Sequence, residues 1–224
     1  MAPVDPIPYM ERTRAWYLAL GYGNPYRYAH FEEVPFQRLR KPLEQCVLTL
    51  VTTAAPYQPD KGPQGPGAPY NAAAKFFTPY TGDTVHDHDL RIAHVAIDRK
   101  HTAMTDRNAW FPLPLMRRWA QQGRFRLAPR FHGMPTNRSQ RHTMEVDVPM
   151  VLDRCKEDGV DAALLVPNCP VCHQTLSLTA RALHVGDGIV RRHGLLLRRM
   201  VLGRGAVTAG RFSSPRRAAP RRNR

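Results

Sequence analysis

Apolar and polar side chains follow two periods along this chain, and the switches between them mark its elements. Residues 11–20 (ERTRAWYLAL) carry a helical period and stop at Gly21 and Gly23, which predicts a short amphipathic helix. Residues 46–55 (CVLTLVTTAA) are rich in β-branched side chains with no breaker, the pattern of a buried strand. Residues 56–69 follow at once, and eight of the fourteen are Pro or Gly. That density excludes a helix or a central strand and predicts a long loop directly after a strand. Residues 89–98 (DLRIAHVAID) alternate, with Leu90, Ile92 and Val95 as the apolar positions of a second strand. Residues 112–122 predict a helix closed by Gly123, residues 125–133 an edge strand and turn, and residues 136–139 a polar loop. Residues 144–158 predict a helix with Met150, Val151, Leu152 and Cys155 on its apolar face and Gly159 as its cap. Residues 161–166 (DAALLV) are continuously apolar after the aspartate, as in a strand buried on both faces. A turn at 167–170 leads into a helix over 172–183.

Strands alternating with helices at this spacing predict an α/β fold, three layers deep around a mostly parallel sheet, with an irregular Arg-rich C-terminal extension. The chain divides into an N-terminal extension with a short helix (1–44), an α/β domain (45–184) and a basic tail (185–224). No internal repeat is present.

Composition narrows this further. Hydrophobic residues at 42% against 23% charged exclude a wholly disordered chain. No apolar run approaches the roughly 18 residues of a membrane span. The first residues carry neither a basic n-region nor an apolar h-region, which predicts a cytoplasmic protein, and there four cysteines are expected as thiols. The net charge of +15 is uneven. Residues 181–224 hold twelve arginines against one acid, Asp187, whereas the first 180 residues carry 21 basic and 17 acidic side chains. A nucleic-acid reading therefore belongs to the tail alone. Its arginines, with Phe212 as the single aromatic, suit non-specific contacts to phosphate backbones. The tail also lacks lysine and is rich in Arg, Gly and Ala, as a high-GC gene read out of frame would be. We expect an aberrant extension, with a nucleic-acid-binding arm as the alternative.

The sharpest motif is Val166-Pro-Asn-Cys169-Pro-Val-Cys172-His173-Gln-Thr175. Two cysteines three apart stand between a strand and a helix, where unpaired N–H groups and the helix dipole stabilise a thiolate. The spacing also lets the second thiol attack an adduct on the first and close a disulfide. Redox chemistry, zinc binding, c-type haem attachment and a purely structural spacing all fit the pattern. Zinc lacks a second cysteine pair, since Cys46 and Cys155 stand alone and Cys155 is expected on a packed helix face. Haem attachment needs export.

Residues 110–183 resemble the selenoprotein B family of glycine, sarcosine, betaine and D-proline reductases. The resemblance rests on Phe111-Pro112-Leu113, then Leu127-Ala128-Pro129, then Cys155-Lys-Glu-Asp-Gly-Val-Asp-Ala162, then the cysteine motif and its helix to Leu183. Upstream, Leu50-Val-Thr-Thr-Ala-Ala55 and Asp89-Leu-Arg-Ile-Ala-His94 extend it to about residues 45–184. It implies a reductase that cleaves a C–N bond, with Cys169 at the selenocysteine position as nucleophile and Cys172 as the resolving thiol. Sulfur in place of selenium implies a slower reaction or a different substrate. It also implies a small amine or amino-acid-like substrate held as an imine on a partner subunit's pyruvoyl group, and a separate thiol electron donor. This chain shows no pyruvoyl precursor and no cofactor of its own.

Four histidines and three acids fall within residues 86–101, read as a solvated loop before a strand with divalent-metal binding as the alternative. The resemblance implies that His94 and Asp98, near the carboxyl end of a strand, serve proton transfer or substrate orientation. Arg138 and His132 are candidates for a substrate carboxylate. The Pro/Gly loop carrying Asp60 and Lys61 is a candidate lid.

Overall fold

The computed structural model describes residues 8–23, 27–32, 39, 41–92, 94, 104–137, 139–185 and 196–197. Chain order is α1 (Tyr9–Ala19), β1 (Val47–Thr52), β2 (Ala55–Pro56), β3 (Tyr80–Asp83), β4 (Leu90–Arg91), α2 (Leu113–Gln121), β5 (Arg126–Leu127), β6 (Arg130–Gly133), α3 (Gln140–His142), α4 (Val148–Glu157), β7 (Ala162–Val166), α5 (Pro170–Val185) and β8 (Leu196–Leu197). A π-helical turn at Thr143–Asp147 joins α3 to α4. The fold is α/β, with one mixed sheet in the order β3-β6-β1-β7-β8 and β5 also paired to β1.

The two strands most strongly marked in the sequence form the centre. β1 and β7 pair in parallel from Leu48 opposite Ala162 to Thr52 opposite Val166. Every residue of β7 is buried, as its unbroken apolar run requires. Alternate residues of β7 enter two separate cores: Ala162, Leu164 and Val166 pack with Leu113 and Met116 of α2. Ala163 and Leu165 pack with Val151 of α4 and Leu176 of α5. Asp161, also buried, ties the strand starts together by accepting the Val47 N–H at 2.8 Å and pairing with Lys41. At the opposite, carboxyl end, the Asn168 N–H donates to the Thr53 hydroxyl at 3.1 Å.

Helix boundaries follow local chemistry. Gly123 and Gly159 adopt φ of 73° and 61°, a left-handed conformation that ends α2 and α4 at little steric cost. The helix foreseen over 144–158 begins earlier, at Gln140, where the Ser139 hydroxyl accepts the His142 N–H. It then widens into the π turn just before Pro149. Proline offers no N–H to the carbonyl four residues back, and the wider turn accommodates the gap. In α5, the buried hydroxyls of Thr175 and Thr179 donate back to the carbonyls of Val171 and Thr175.

Three expectations change. The strand foreseen over 89–98 is, within the described residues, only β4, paired antiparallel with β2 in a separate ribbon. Its alternation is real, because Leu90 and Ile92 are buried around a half-exposed Arg91, but they pack against Trp110 rather than forming a sheet face. Residues 130–133 are no edge strand: β6 lies between β1 and β3. The edge belongs to β3, whose Tyr80 ring crosses over Gly133 so closely that any Cβ there would stand 1.9 Å from it. Two residues of the Arg-rich extension, Leu196 and Leu197, lie in the sheet parallel to β7. Among the described residues no helix is long and apolar enough to cross a membrane.

Candidate active site at the carboxyl ends of the parallel strands

Parallel pairing of β1 with β6 and β7 brings three strand ends to one side of the sheet, the position where open α/β folds carry their reactive groups. From β7 the chain turns through Pro167 and Asn168 and enters α5 with Pro170 in its first turn, where proline's missing N–H costs nothing. Cys169 stands directly before the helix, and its Sγ accepts the Cys172 N–H at 3.2 Å. The two sulfurs are 2.8 Å apart, and both residues are free cysteines. From the end of β6, the loop through Met134 delivers Thr136, whose hydroxyl lies 3.1 Å from the Cys172 sulfur. From the segment after β4 comes His94. Its ring and the two sulfurs offer donor atoms that all lie within 4.8 Å of one another.

The electrostatics of the pair are unequal. Burial is the largest influence on Cys169 and, with the neighbouring Cys172, raises its thiol well above the ordinary range against the Cys172 and Val171 N–H groups. Burial also acts to raise Cys172, but it is outweighed. The Cys169 thiol, the charge and hydrogen bond of His94 and the Thr136 hydroxyl together bring Cys172 well below the ordinary range. The negative charge of the pair therefore sits on Cys172, with Cys169 as its donor. Access runs the other way: Cys169 is 8% exposed and Cys172 is fully buried.

What covers the thiols comes from the N-terminal segment. Tyr17 of α1 forms one apolar cluster with Cys169, Val171 and Cys172, and Tyr28 packs against it. The Ala29 N–H donates to Gln174 of α5 at 2.6 Å, and Gln140 reaches the Arg27 carbonyl at 2.9 Å. Asn168, next to Cys169, is buried, and among the described residues neither atom of its carboxamide has a hydrogen-bond partner. Unmet polar groups of this kind cost about 1–3 kcal/mol each until something pairs with them.

A cavity of about 640 Å³ opens between the Pro/Gly loop (Pro66–Ala68), Leu90, Ile92, Met104 and Trp110, with Arg91 and Arg107 in its wall. Its lining does not include the sulfurs. It is tied to them through the backbone, since Ile92 precedes His94 by two residues and two residues span at most about 7 Å. The loop beside it is organised rather than loose. Buried Gln64 donates to the Gln58 and Gly62 carbonyls and accepts the Gln58 N–H, while Asn71 donates to the Pro63 carbonyl. Asp60 and Lys61 lie in a single 3-10 turn at its start.

The structure unites Cys169, Cys172 and His94 of the residues singled out in the sequence. Asp98 and Arg138 lie outside the described residues. His132 belongs elsewhere: it is fully buried in β6, its Nδ1 3.2 Å from the Thr81 hydroxyl, among the charges of Asp158, Arg130 and Arg154. Burial pushes its pKa down to about 4, so at neutral pH it has no positive charge to offer a substrate carboxylate. The other acids and histidines of the 83–91 stretch pair locally, His86 and His88 with Asp83, Arg117 with Asp87 and Arg91 with Asp89. Cys155 lies in the core on α4, as its helix face foretells, and burial pushes it up to about 12. Tyr17, Thr136 and Asn168 were not singled out in the sequence, although Asn168 stands within the cysteine motif, Thr136 in the polar loop and Tyr17 in the foreseen short helix. Comparison with protein-family models, with curated proteins and with solved structures finds no match to this chain.

Proposed function

We propose that this chain is the thiol component of a reductase, working as the selenoprotein B family it resembles does, with Cys169 as nucleophile and Cys172 as resolving thiol. One observation carries the reading: two sulfurs 2.8 Å apart at the start of α5, the inner one held beside His94 and Thr136. Cys169, the less buried of the two residues, meets the substrate and its thiol proton passes to the departing amine, while Cys172 keeps the thiolate charge for the resolving step.

For a C–N bond the steps balance as follows. The Cys169 sulfur bonds to carbon as the C–N bond breaks, and the amine departs with the thiol proton. The Cys172 sulfur then attacks Cys169; the S–S bond forms, the S–C pair stays with carbon, and carbon takes a proton. Two thiols become a disulfide, the amine is released, and C–N has become C–H. A separate thiol donor returns the two electrons. A pyruvoyl group on a partner subunit would supply the carbonyl that activates the amine.

Other features fit this reading. The cavity that reaches Ile92, two residues before His94, gives a small amino-acid-like substrate room between arginines and aspartates of its wall. The unmet Asn168 carboxamide offers a hydrogen bond beside the nucleophile. The reading takes the fold as three layers, α2 on one face and α4 and α5 on the other, and the chain as cytoplasmic, where dithiols stay reduced.

Mild oxidation of the full chain followed by peptide mass spectrometry should find a Cys169–Cys172 disulfide. Cys172→Ser should accumulate an adduct on Cys169, and Cys169→Ser should form none. An adduct on Cys172 in the Cys169 variant reverses the roles, and no disulfide at all defeats the reading.

A further inference from the structure

The sequence offers zinc only a cysteine pair, and the fold brings a third donor to it. We propose that the reduced Cys169 and Cys172, with the His94 imidazole, form a binding site for one soft divalent cation of the zinc class, leaving a fourth position for an exchangeable ligand. This rests on the dithiol reading only in needing both thiols reduced, and the two are separable by experiment.

Geometry supports it first. Tetrahedral zinc, with arms of about 2.3 Å to sulfur and about 2.0–2.1 Å to nitrogen, spaces its donor atoms about 3.5–3.8 Å apart. The donors of His94, Cys169 and Cys172 already lie within 4.8 Å of one another, with the sulfurs at 2.8 Å. The sulfurs must part by about 1 Å, and the ring approach by about 1.3 Å at most, to reach the tetrahedral spacing, a side-chain adjustment. Two thiolates and an imidazole suit zinc and similar ions over magnesium or calcium, which prefer oxygen. Two thiolates also neutralise a divalent charge, as a buried cation requires. The Thr136 hydroxyl against Cys172 supplies the outer hydrogen bond that commonly orients a ligand. Among the described residues, no other group of three or more such donors comes together.

Binding is an exchange without electron transfer: the cation enters, the one proton held by the pair leaves, and three bonds to the metal form. Oxidation to the disulfide gives two electrons to the oxidant, removes both sulfur donors and expels the cation. Metal and disulfide therefore exclude one another, and a bound cation would hold the dithiol silent and protected.

Cobalt(II) is the direct probe on the reduced, full-length protein. One equivalent should give a sulfur-to-cobalt charge-transfer band and the strong visible bands of tetrahedral cobalt. Cys169→Ser and Cys172→Ser should lose the charge-transfer intensity stepwise. His94→Ala should weaken binding more than about tenfold, because even an outer-sphere partner is worth 10–100-fold. Should a variant fail to fold, the wild type decides: one equivalent of Zn²⁺ should block iodoacetamide at both Cys169 and Cys172. Cobalt bound without the charge-transfer band, unchanged affinity in folded His94→Ala, or thiols that stay reactive with Zn²⁺ present each overturns the proposal. Disulfide formation in the metal-free protein is scored separately. A disulfide without metal binding sinks the cation site alone, and metal binding without any disulfide sinks the reductase reading alone.

Discussion

Replacing Tyr17 with alanine should uncover the dithiol. α1 turns Thr13 and Tyr17 inward, while Met10, Trp16 and Leu18 are exposed. Tyr17 is the α1 side chain that shares an apolar cluster with both cysteines. Burying an aromatic of this size stabilises by about 1.5–3 kcal/mol, and each 1.4 kcal/mol is a factor of ten in population. Removing the ring should therefore raise the population with α1 lifted by about 10- to 100-fold. Where opening and closing are fast against the chemistry, alkylation of Cys169 rises by the same factor. The assay is iodoacetamide labelling of the reduced full chain, resolved by cysteine in peptide mass spectra. Cys155, buried in the core between the sheet and α4, is the internal control and should keep its rate. Tyr17→Phe should behave nearly as wild type, because it keeps the ring. Acceleration of less than about threefold at Cys169 would refute the cover, since it corresponds to under ~0.7 kcal/mol. Equal acceleration at Cys155 would show general destabilisation instead.

Thr136→Val removes the hydroxyl against Cys172, so the ionisation of the dithiol, followed by thiolate absorbance near 240 nm, should move upward by about one pH unit, the worth of one hydrogen bond to a charge. His132 is neutral in the fold, with its pKa lowered from 6.5 to about 4, so between those values the unfolded chain binds a proton that the folded one does not. Stability is thus full above pH 6.5 and falls as pH drops toward 4, by about 3 kcal/mol from this group. In urea unfolding at pH 7 and pH 4.5, His132→Gln should lose less stability on acidification than wild type, and parallel losses would discard the assignment. Gly133→Ala should cost about 1–3 kcal/mol in the same assay, because the new Cβ meets the Tyr80 ring, and Tyr80→Ala should relieve much of that cost.

The local half of this protein was legible in the chain. A short continuous apolar run bounded by turn signals fits a strand covered on both faces, and β7 is that strand. A cysteine followed by proline after such a strand can only sit at a helix start, and Cys169 takes the Cys172 N–H there. Glycines at 123 and 159 ended their helices because a left-handed residue was required. In each case neighbours within a few residues decide the outcome. The alternation that begins at residue 89 marked the burial of Leu90 and Ile92 and the strand β4, but not its partner β2, because period two reports which side is covered and not by what. The edge position given to residues 125–133 failed at β6 for a related reason. Nothing in Tyr80–Asp83 announces a strand until Gly82 and Gly133 are seen to make room for the Phe131 and Tyr80 rings.

The site itself was half visible. Spacing alone brings two thiols together, because three residues make nearly one helical turn. Which thiol carries the charge depended on groups far away in sequence. Thr136 stands 36 residues from Cys172, and His94 and Tyr17 are more distant still. None of them has a local pattern that points toward a sulfur. Thr136 and the thiols meet because β1, β6 and β7 run parallel, so each crossover returns the chain to the same end of the sheet. His94 arrives from the chain after the β2–β4 ribbon and Tyr17 from α1. Composition and periodicity determine what each segment becomes. Only the closing of the sheet decides that a histidine, a hydroxyl and a tyrosine from three separate segments surround one pair of thiols, because long-range pairing fixes positions that no local preference encodes.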